Sequence, residues 1–260
     1  AKGQIVCEID SLGGEMGKAA DATFIQSRIL NRGKGPAVHS LRVQSDRVKY
    51  HTYMKHTLEN IPNLYIKQAE VTAVDVENGR VTAVRTRLGA IHPVKAAIIT
   101  TGTYLNGKIH IGELNYSSGP DNLLPSSGLT GCLKDLGVSM RRFKTGTPAR
   151  VHKRSIDFSV MEKQSGDEQI MPFAFDNEQK LHNVVDCYVT YTNAETHKVI
   201  LENLHRSPLY SGRIEGLGPR YCPSIEDKIV RFKDKERHQL FVEPMGLDTC
   251  LLYTSDAADD

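Results

Sequence analysis

The chain has 260 residues, of which 39% are hydrophobic and 25% are charged. This balance is typical of a soluble globular protein, and the length allows one large domain or two ordinary ones. No apolar run approaches the roughly 20 residues that a membrane-spanning helix needs, so we expect no membrane partner. The formal net charge of +2 does not by itself indicate nucleic-acid binding, although a local basic surface remains compatible with it.

The cysteine pattern argues against a zinc site and against a disulfide framework. The five cysteines are Cys7, Cys132, Cys187, Cys222 and Cys250. They are odd in number, widely spaced and form no CxxC pair. The histidines also lack the spacing of metal ligands, so no metal is expected. Free thiols are typical of a reducing compartment, and we therefore expect a cytoplasmic protein.

An amphipathic helix and a β-hairpin are the first clear elements in chain order. Apolar residues recur at helical spacing at Tyr50, Tyr53, Met54, Leu58 and Ile61. Pro62 ends that pattern. Farther on, "AEVTAVDV" and "RVTAVRTR" flank Glu77-Asn78-Gly79, and Asn-Gly is a strong signal for a tight hairpin turn.

The segment "VKAAIITTG" is a short, continuous apolar run that ends at Thr101-Gly102. Such a run is typical of a buried strand in a parallel sheet, and its glycine lets another group approach the backbone closely. A short helix follows, for which Ser126 or Ser127 is the expected N-cap and Gly137 the expected C′ residue.

A second helix is indicated after residue 192, where Thr192-x-x-Glu195 has the spacing of a capping box. Strand and helix signals thus alternate along the chain, which predicts an α/β fold. No GxGxxG, Walker A or GxSxG motif is present.

A basic segment lies between the helix expected before Gly137 and the helix expected after residue 192. It carries six cations and no acid. They are Arg141, Arg142, Lys144, Arg150, Lys153 and Arg154. Such a segment is compatible with contacts to RNA phosphates, and it is equally compatible with an ordinary solvated face.

Cys222 stands in "GPRYCPSIEDK", just before an expected helix start. Ser224-x-x-Asp227 has capping-box spacing, so the helix is predicted to begin after Ser224. A helix N-terminus and the nearby Arg220 would both favour the thiolate of Cys222, which is the form that acts as a nucleophile. The alternative is a small buried cysteine without chemistry.

The same helix start offers a second interpretation. Free N–H groups there, with Arg220 beside them, suit the phosphate of a dinucleotide. An ordinary capped helix explains the pattern equally well.

Six motifs in order identify a family resemblance. They are "SRILNRGKGPAV", "TTGTYLNGKIHIG", "FKTGTP", "NLHRSPLYSG", "GPRYCPSIEDK" and "HQLFVEP". Together they resemble the GidA family, the flavoprotein subunits of the tRNA uridine 5-carboxymethylaminomethyl modification enzyme. The resemblance extends from residue 1 to about residue 249.

The resemblance implies a fold and an activity. The fold would be a partial glutathione-reductase-like FAD-binding domain with an inserted second domain. The activity would be FAD- and NADH-dependent modification of the wobble uridine of tRNA at C5, with methylenetetrahydrofolate as the reduced folate that donates one carbon. The expected partners are tRNA and a GTPase of the MnmE type, and the full-length protein would be a homodimer.

The family's functional residues can be carried over by position. Its second essential cysteine falls on Cys222, which makes Cys222 the expected catalytic residue. Its FAD contacts fall on Val71 and Ser126, and the Thr101-Gly102 strand end is expected near the flavin. Its NAD region falls on Gly218, Pro219, Arg220, Tyr221, Cys222, Pro223, Ser224, Ile225, Glu226, Asp227, Lys228, Ile229, Val230, Arg231 and Phe232.

The expected domains follow from the same comparison. Residues 1–148 would belong to the FAD-binding domain, with a β-hairpin excursion near 64–95, and residues 149–241 to the inserted domain with the NAD segment. Residues 242–249 would return to the FAD-binding domain, and residues 250–260 read as a non-native tail.

The sequence also departs from the family pattern. The family's Gly-rich flavin fingerprint and its other essential cysteine would precede Ala1, and its helical GTPase-docking domain would follow the end of the chain. We therefore expect a fragment that is inactive alone. Cys7 stands where relatives usually carry lysine, Ala149 where "KTGTPPR" is usual and Met245 where "EPEG" is usual.

Two other functions remain as alternatives. A folate- and FAD-dependent tRNA methyluridine methyltransferase would place a plain methyl group on a different uridine. A non-catalytic tRNA-binding scaffold would use only the basic segment.

Overall fold

The computed structural model of the chain describes residues 2–214 and 224–256. The α-helices in these ranges are α1 (Lys2–Ser11), α2 (Met16–Thr23), α3 (Arg47–Glu59), α4 (Leu129–Asp135), α5 (Ala194–Glu202) and α6 (Ile225–Arg231). The strands are β1 (Phe24–Leu30), β2 (Ser40–Ser45), β3 (Val71–Glu77), β4 (Arg80–Thr86), β5 (Ile91–Pro93), β6 (Lys108–Ile111), β7 (Leu114–Ser117), β8 (Ala149–His152), β9 (Glu162–Gln164), β10 (Cys187–Tyr191), β11 (Gln239–Pro244) and β12 (Leu251–Asp256). Among the described helices, none has the length and apolar character that crossing a membrane requires.

The chain divides into two compact units. Unit 1 contains residues 2–66, 146–201 and 224–256, and unit 2 contains residues 67–145 and 202–214. The domain bounds expected from the sequence stay a prediction. They describe the FAD-binding and inserted domains of a larger protein, whereas the two units describe which parts of this chain pack together.

Unit 1 is built on an antiparallel sheet with the strand order β8, β12, β11, β10, β9. In the centre of this sheet Val189 of β10 pairs with Phe241 of β11. Cys187, Val189, Val242 and Leu252 are buried on it. These apolar side chains form part of the interior of unit 1.

Two helices of unit 1 hold a loop that follows β9. The Asp21 carboxylate, on α2, accepts hydrogen bonds from the backbone N–H groups of Phe173 (2.8 Å) and Ala174 (3.0 Å) and from the Asn177 side chain (3.0 Å). Asp10, on α1, accepts the N–H of Phe175 at 2.9 Å. Asp21 is buried, so these bonds replace the water that its charge would otherwise need.

Asp46 joins the start of α3 to the end of β11. Its Oδ1 accepts the N–H groups of Val48 (3.1 Å) and Lys49 (3.0 Å), which caps α3, and its Oδ2 accepts the N–H of Leu247 (3.0 Å). The predicted helix is therefore confirmed, and its cap is also a long-range tie. Burial would raise the pKa of Asp46, but the N–H donors and the Lys49 charge outweigh burial and lower it.

Unit 2 contains the predicted hairpin. β3 and β4 pair antiparallel, with Glu77 opposite Arg80. Asn78 and Gly79 between them have φ values of 51° and 75°. Positive φ at both turn positions is typical of a type I′ turn, so this prediction is confirmed.

The interior of unit 2 forms where α4 packs on β3. Val74, Leu129 and Leu133 are buried together, and Val71 packs against them. Cys132, also on α4, is half-buried, and its Sγ accepts the N–H of Val74 at 3.3 Å.

The predicted buried strand "VKAAIITTG" is wrong. Residues 94–101 form no strand, and Ile98 and Ile99 are 91% and 45% exposed. An apolar segment becomes a buried strand only where neighbouring strands pair with it, and no described strand pairs with this one.

The predicted N-cap of α4 is also wrong, whereas its predicted C-terminus is confirmed. Gly128 occupies the N-cap position without a side-chain hydrogen bond. Ser127 instead donates its N–H to Glu70, and Ser126 is paired elsewhere in unit 2. Gly137 follows the helix with a φ of 85°, as expected for a C′ glycine.

The helix after β10 is capped by a different residue from the one predicted. Asn193 Oδ1 accepts the N–H of Thr196 at 2.8 Å, which caps α5. The hydroxyl of Thr192 instead accepts the N–H of His238 (2.8 Å) and lies 2.8 Å from His197 Nε2. The Thr192 hydroxyl that the capping box required is therefore bonded to the chain segment at His238 and does not cap the helix.

The C-terminal segment expected as a non-native tail contributes a strand. β12 lies between β11 and β8, with Val242 opposite Thr254 and Leu252 opposite Val151. The non-native origin of these residues stays a prediction, but in the structure they are part of the sheet of unit 1.

The tie at Asp46 predicts a loss of stability on substitution. Asp46→Ala should lower the free energy of unfolding by about 2–4 kcal/mol, since it removes a helix cap and a hydrogen bond to a charged group. Urea unfolding at pH 7 measures this difference. Asp248→Ala, an exposed acid near the same loop, should stay within about 0.5 kcal/mol of the parent chain.

The same tie predicts a pH dependence. Because the pKa of Asp46 is lowered on folding, its contribution is fully present above the ordinary value of 3.8 and is lost as the pH falls through the folded pKa. The difference in free energy of unfolding between the parent chain and Asp46→Ala should therefore become smaller as the pH falls. A difference that stays constant down to pH 2 would contradict the assignment.

Two glycines of unit 2 should respond in opposite directions to alanine. A Cβ at Gly107 would lie 2.3 Å from the Ser118 carbonyl oxygen and 2.8 Å from that of Thr103, so Gly107→Ala should destabilise by about 1–3 kcal/mol. A Cβ at Gly131 on α4 would meet nothing within 4 Å, so Gly131→Ala should stabilise by about 0.5–1 kcal/mol. Thermal unfolding of both variants measures the two changes in stability. Changes of the same sign would contradict the prediction.

Candidate functional site

The predicted flavin contacts lie in unit 2, on loops that are joined by backbone hydrogen bonds. The N–H of Tyr104 donates to the Thr101 carbonyl at 3.0 Å and closes a turn that contains Gly102. Ser126 then pairs with the end of this turn, because its N–H donates to Tyr104 (3.0 Å) and its carbonyl accepts the N–H of Asn106 (2.8 Å). The structure thus brings Thr101, Gly102 and Ser126 together.

Glu70 links the same loops to Val71. One oxygen of its carboxylate accepts the Ser127 N–H at 3.1 Å, and the other accepts from Arg87 Nη1 at 2.8 Å. Val71 begins β3 directly after this residue. Thr101, Gly102 and Ser126 therefore lie in one hydrogen-bonded group of loops, and Val71 adjoins that group through Glu70. Sequence reasoning missed Glu70, since an acid at the start of a strand matches no motif.

These four residues have different groups left to offer a ligand. The Val71 side chain packs against the interior of unit 2, so only its backbone, which stands opposite Thr86 in the β3–β4 ladder, could meet a ligand. Both backbone groups of Ser126 are paired, which leaves its hydroxyl. Gly102 is exposed at a φ of 53°, and a Cβ there would meet nothing within 4 Å, so its backbone is open to close approach.

The segment predicted to hold the catalytic thiol and NAD is described in part. Gly218, Pro219, Arg220, Tyr221, Cys222 and Pro223 lie outside the described residues. The part from Ser224 to Phe232 contains α6, and Ser224 occupies its N-cap position with extended φ and ψ of −73° and 164°. The predicted helix start is confirmed.

The predicted capping box at this helix is wrong. The Ser224 hydroxyl makes no hydrogen bond to the helix. Asp227 instead accepts from Arg231 Nε at 2.9 Å, one helical turn farther on. Arg231 competes for this carboxylate because residues four apart share a helix face.

The face of α6 that is turned inward carries charge. Asp227, Lys228 and Ile229 are all buried, and Lys228 is only 1% exposed. The Ser224 hydroxyl oxygen is buried as well and has no hydrogen-bond partner within residues 2–214 and 224–256. A buried hydroxyl without a partner is suited to a polar ligand group.

Two thiols in the described chain have surroundings that oppose reactivity. Burial raises the pKa of Cys187 to about 11, although the nearby Arg42 acts in the opposite direction. Burial also raises the pKa of Cys7, together with the charges of Asp10 and Asp21. Neither thiol supplies much thiolate at neutral pH.

One polar cluster of unit 1 was missed by the sequence. The rings of His197 and His238 have centroids 5.5 Å apart, and both residues contact the hydroxyl of Thr192. His238 is buried. A separation of 41 positions between the two histidines carries no recognisable pattern. The described residues contain no group of side chains able to hold a metal ion.

The basic segment is divided between the two units. Arg141, Arg142 and Lys144 belong to unit 2, and Arg150, Lys153 and Arg154 belong to unit 1. Five of the six are exposed, and Lys144 is half-buried. Arg142 Nη1 donates to the Asn106 carbonyl at 3.2 Å, while the Arg150 guanidinium lies 5.6 Å from the centre of the Tyr253 ring. This exposure suits phosphate contacts and a solvated face alike.

Comparison with known proteins gives one consistent family. The family model of glucose inhibited division protein A matches residues 1–258. The tRNA uridine 5-carboxymethylaminomethyl modification enzyme MnmG of Caldicellulosiruptor saccharolyticus is 61% identical over 252 residues, which are 97% of this chain and 40% of that protein. MnmG of Alkaliphilus metalliredigens is 59% identical over 252 residues, again 97% of this chain and 40% of that protein.

A solved structure agrees with this family. Aquifex aeolicus GidA, in its form I crystal, has a TM-score of 0.91 and 50% identity, and the match covers 99% of this chain and 44% of that one. The match confirms the predicted α/β fold class. The chain spans about 40% of the length of the curated relatives. It belongs to the glucose inhibited division protein A family, as its motifs predicted.

Proposed function

We propose that this chain is part of an enzyme that modifies the wobble uridine of tRNA, adding a carboxymethylaminomethyl group at C5 of the base. The observation that carries the proposal is the identity of 61% over 97% of the chain with a protein named for this modification. We propose tRNA as the substrate, a GTPase as the partner and a cytoplasmic location, with a homodimer as the full-length assembly.

The loops of unit 2 are the proposed flavin contacts. The Val71 backbone, the exposed backbone of Gly102 and the hydroxyls of Thr101 and Ser126 would hold FAD, whose chemistry when bound is the transfer of reducing equivalents. This assignment is supported by the hydrogen bonds that join Thr101 through Tyr104 to Ser126. Because the loops are fixed to one another, they offer a ligand a preformed surface.

The segment from Gly218 to Phe232 is the proposed NADH contact. Within its described part, the buried Ser224 hydroxyl lacks a hydrogen-bond partner, which supports a polar ligand at the start of α6. Asp227, Lys228 and Ile229 are buried and would act by shaping the segment. Exposed residues such as Arg231 and Phe232 remain accessible to a nucleotide.

Cys222 is the proposed nucleophile. Its thiolate would add to C6 of the uracil, forming a sulfur–carbon bond and placing negative charge at C5. C5 would then bond to the one-carbon unit of a reduced folate. The bond from that carbon to the folate nitrogen would break, and an amine that carries a carboxymethyl group would take the place of the folate. Loss of the C5 proton and release of the thiolate would restore the aromatic base. Arg220 would favour the thiolate by its charge.

A chimera offers the most direct test of this function. Residues 1–249 would replace the matching part of the 61% identical Caldicellulosiruptor enzyme, and tRNA from the reaction would be digested and analysed by mass spectrometry. A carboxymethylaminomethyl group on the wobble uridine supports the proposal. A plain methyl group on another uridine would indicate the methyltransferase, and tRNA binding without modification would indicate the scaffold.

Cys222→Ser in this chimera should abolish modification and leave the melting temperature and tRNA affinity unchanged. A serine hydroxyl keeps the size of the thiol but supplies essentially no anion at neutral pH. Turnover with purified tRNA, together with thermal unfolding, measures both effects.

Cys7→Ser is the matched control, because Cys7 is half-buried and its pKa is raised. It should keep full turnover. If Cys222→Ser instead lowers the melting temperature and turns over normally per folded molecule, the cysteine is structural and the proposed role is wrong.

The basic segment should contribute to tRNA binding in a salt-dependent way. Binding weakens as salt rises, so the slope of log affinity against log salt is negative. Arg141→Gln in unit 2 and Arg154→Gln in unit 1 should each make this slope less steep by about 0.7–0.9, the value for one phosphate contact. Filter binding of tRNA at several salt concentrations measures the slope. Lys95→Gln, an exposed lysine outside the segment, should leave it unchanged. If both arginine variants show the same salt slope as Lys95→Gln, the segment does not contact phosphates and is an ordinary solvated face.

A further inference from the structure

The hairpin of β6 and β7 presents polar donors on one face. Lys108 and His110 are two residues apart on β6, so their side chains leave the strand on the same side. Their partners across the ladder are Ser117 and Asn115. Directly opposite residues share a face of the sheet, so an ammonium, an imidazole, a hydroxyl and an amide lie side by side.

A second cation, Arg142, is held at the base of this hairpin. Arg142 Nη1 donates to the carbonyl of Asn106 at 3.2 Å, two residues before Lys108. This bond ties the guanidinium to the chain that leads into β6 and leaves its other N–H groups for a ligand.

Both cations act on His110. Burial lowers the pKa of His110, and the charges of Lys108 and Arg142 lower it further. The imidazole is therefore neutral at pH 7 in a site that already holds two cations.

The two cations have no counter-charge in the described chain. Neither Lys108 nor Arg142 forms an ion pair within residues 2–214 and 224–256. Glu113, at the tip of the hairpin, is held by Arg206 at 3.1 Å. Two uncompensated cations beside a half-buried histidine favour an anion with several acceptor oxygens.

We propose that Lys108, His110 and Arg142 form a binding site for a phosphate-ester anion. Lys108 supplies a point charge, Arg142 donates paired N–H groups, and His110 takes up a proton when the anion enters. Phosphate esters of this kind occur in an RNA backbone and in dinucleotides. The proposal rests on the function given above only for the identity of the molecule that carries the phosphate.

The test follows the proton on His110. The chain is labelled on its histidines, the His110 signal is assigned with His110→Gln, and its pKa is measured by NMR in the free chain. The titration is repeated with pyrophosphate, with a short single-stranded RNA, with FAD and with NADH. A bound phosphate should raise the pKa of His110, because an anion favours the imidazolium. If RNA raises the pKa of His110 and FAD and NADH do not, the ligand is an RNA backbone. If FAD or NADH raises this pKa, the ligand is a dinucleotide.

Lys108→Gln provides the second measurement. It should weaken binding of the active ligand about two- to fivefold, as expected for an exposed charge pair, and should lower the salt slope for RNA by about 0.7–0.9. Lys134→Gln, an exposed lysine on α4, is the control and should change neither quantity. Circular dichroism confirms that both variants fold.

The outcomes separate this site from the proposed function. If none of the four anions raises the pKa of His110, the site does not exist, whether or not RNA binds elsewhere. If Lys108→Gln behaves like Lys134→Gln, the response of His110 is indirect and the proposal is also overturned. A chimera that fails to modify tRNA while His110 still responds to pyrophosphate would reject the proposed function and retain this site.

Discussion

Buried and half-buried carboxylates that accept backbone N–H groups from distant segments hold unit 1 together. The unit is made of three separated stretches of chain, so neighbours in space are far apart in sequence. Asp21 binds the loop at Phe173, Asp46 binds Leu247, and Asp167 accepts the N–H of Ile29 at 2.7 Å. Each carboxylate is an acceptor with several lone pairs, so one side chain can satisfy two or three backbone donors at a junction. Apolar packing alone would leave those donors unpaired.

Unit 2 depends on a more local arrangement with a similar device. Its hairpin and α4 form a small interior, and Glu70 connects the start of β3 to the loop before α4. The loops proposed to contact FAD are therefore attached to the most buried part of the unit. A substitution in that interior would move the proposed ligand contacts as well as lower stability, so both properties should be measured together for any variant there.

The cysteines show how burial and charge compete in setting thiol reactivity. Cys187 lies near Arg42, yet burial raises its pKa to about 11, because desolvation of a thiolate outweighs one neighbouring cation. One nearby arginine is thus insufficient to activate a buried thiol. The argument for Cys222 accordingly requires access to solvent or substrate in addition to Arg220. Its support comes from the family motif and from the confirmed helix start at Ser224.

The sequence by itself determined the family, the α/β class, the hairpin at Asn78-Gly79, helix α3 and the start of α6. These follow from short-range patterns, since turn conformation and helical periodicity are set by residues a few positions apart. Only the tertiary structure decided that residues 94–101 form no strand, that Asn193 rather than Thr192 caps α5, and that Glu70 joins the predicted flavin contacts. It also brought Arg142 to the base of the hairpin that carries His110. A strand needs partners, and a hydroxyl or carboxylate binds whichever donor the fold brings near, so long-range contacts rather than local spacing settle these outcomes.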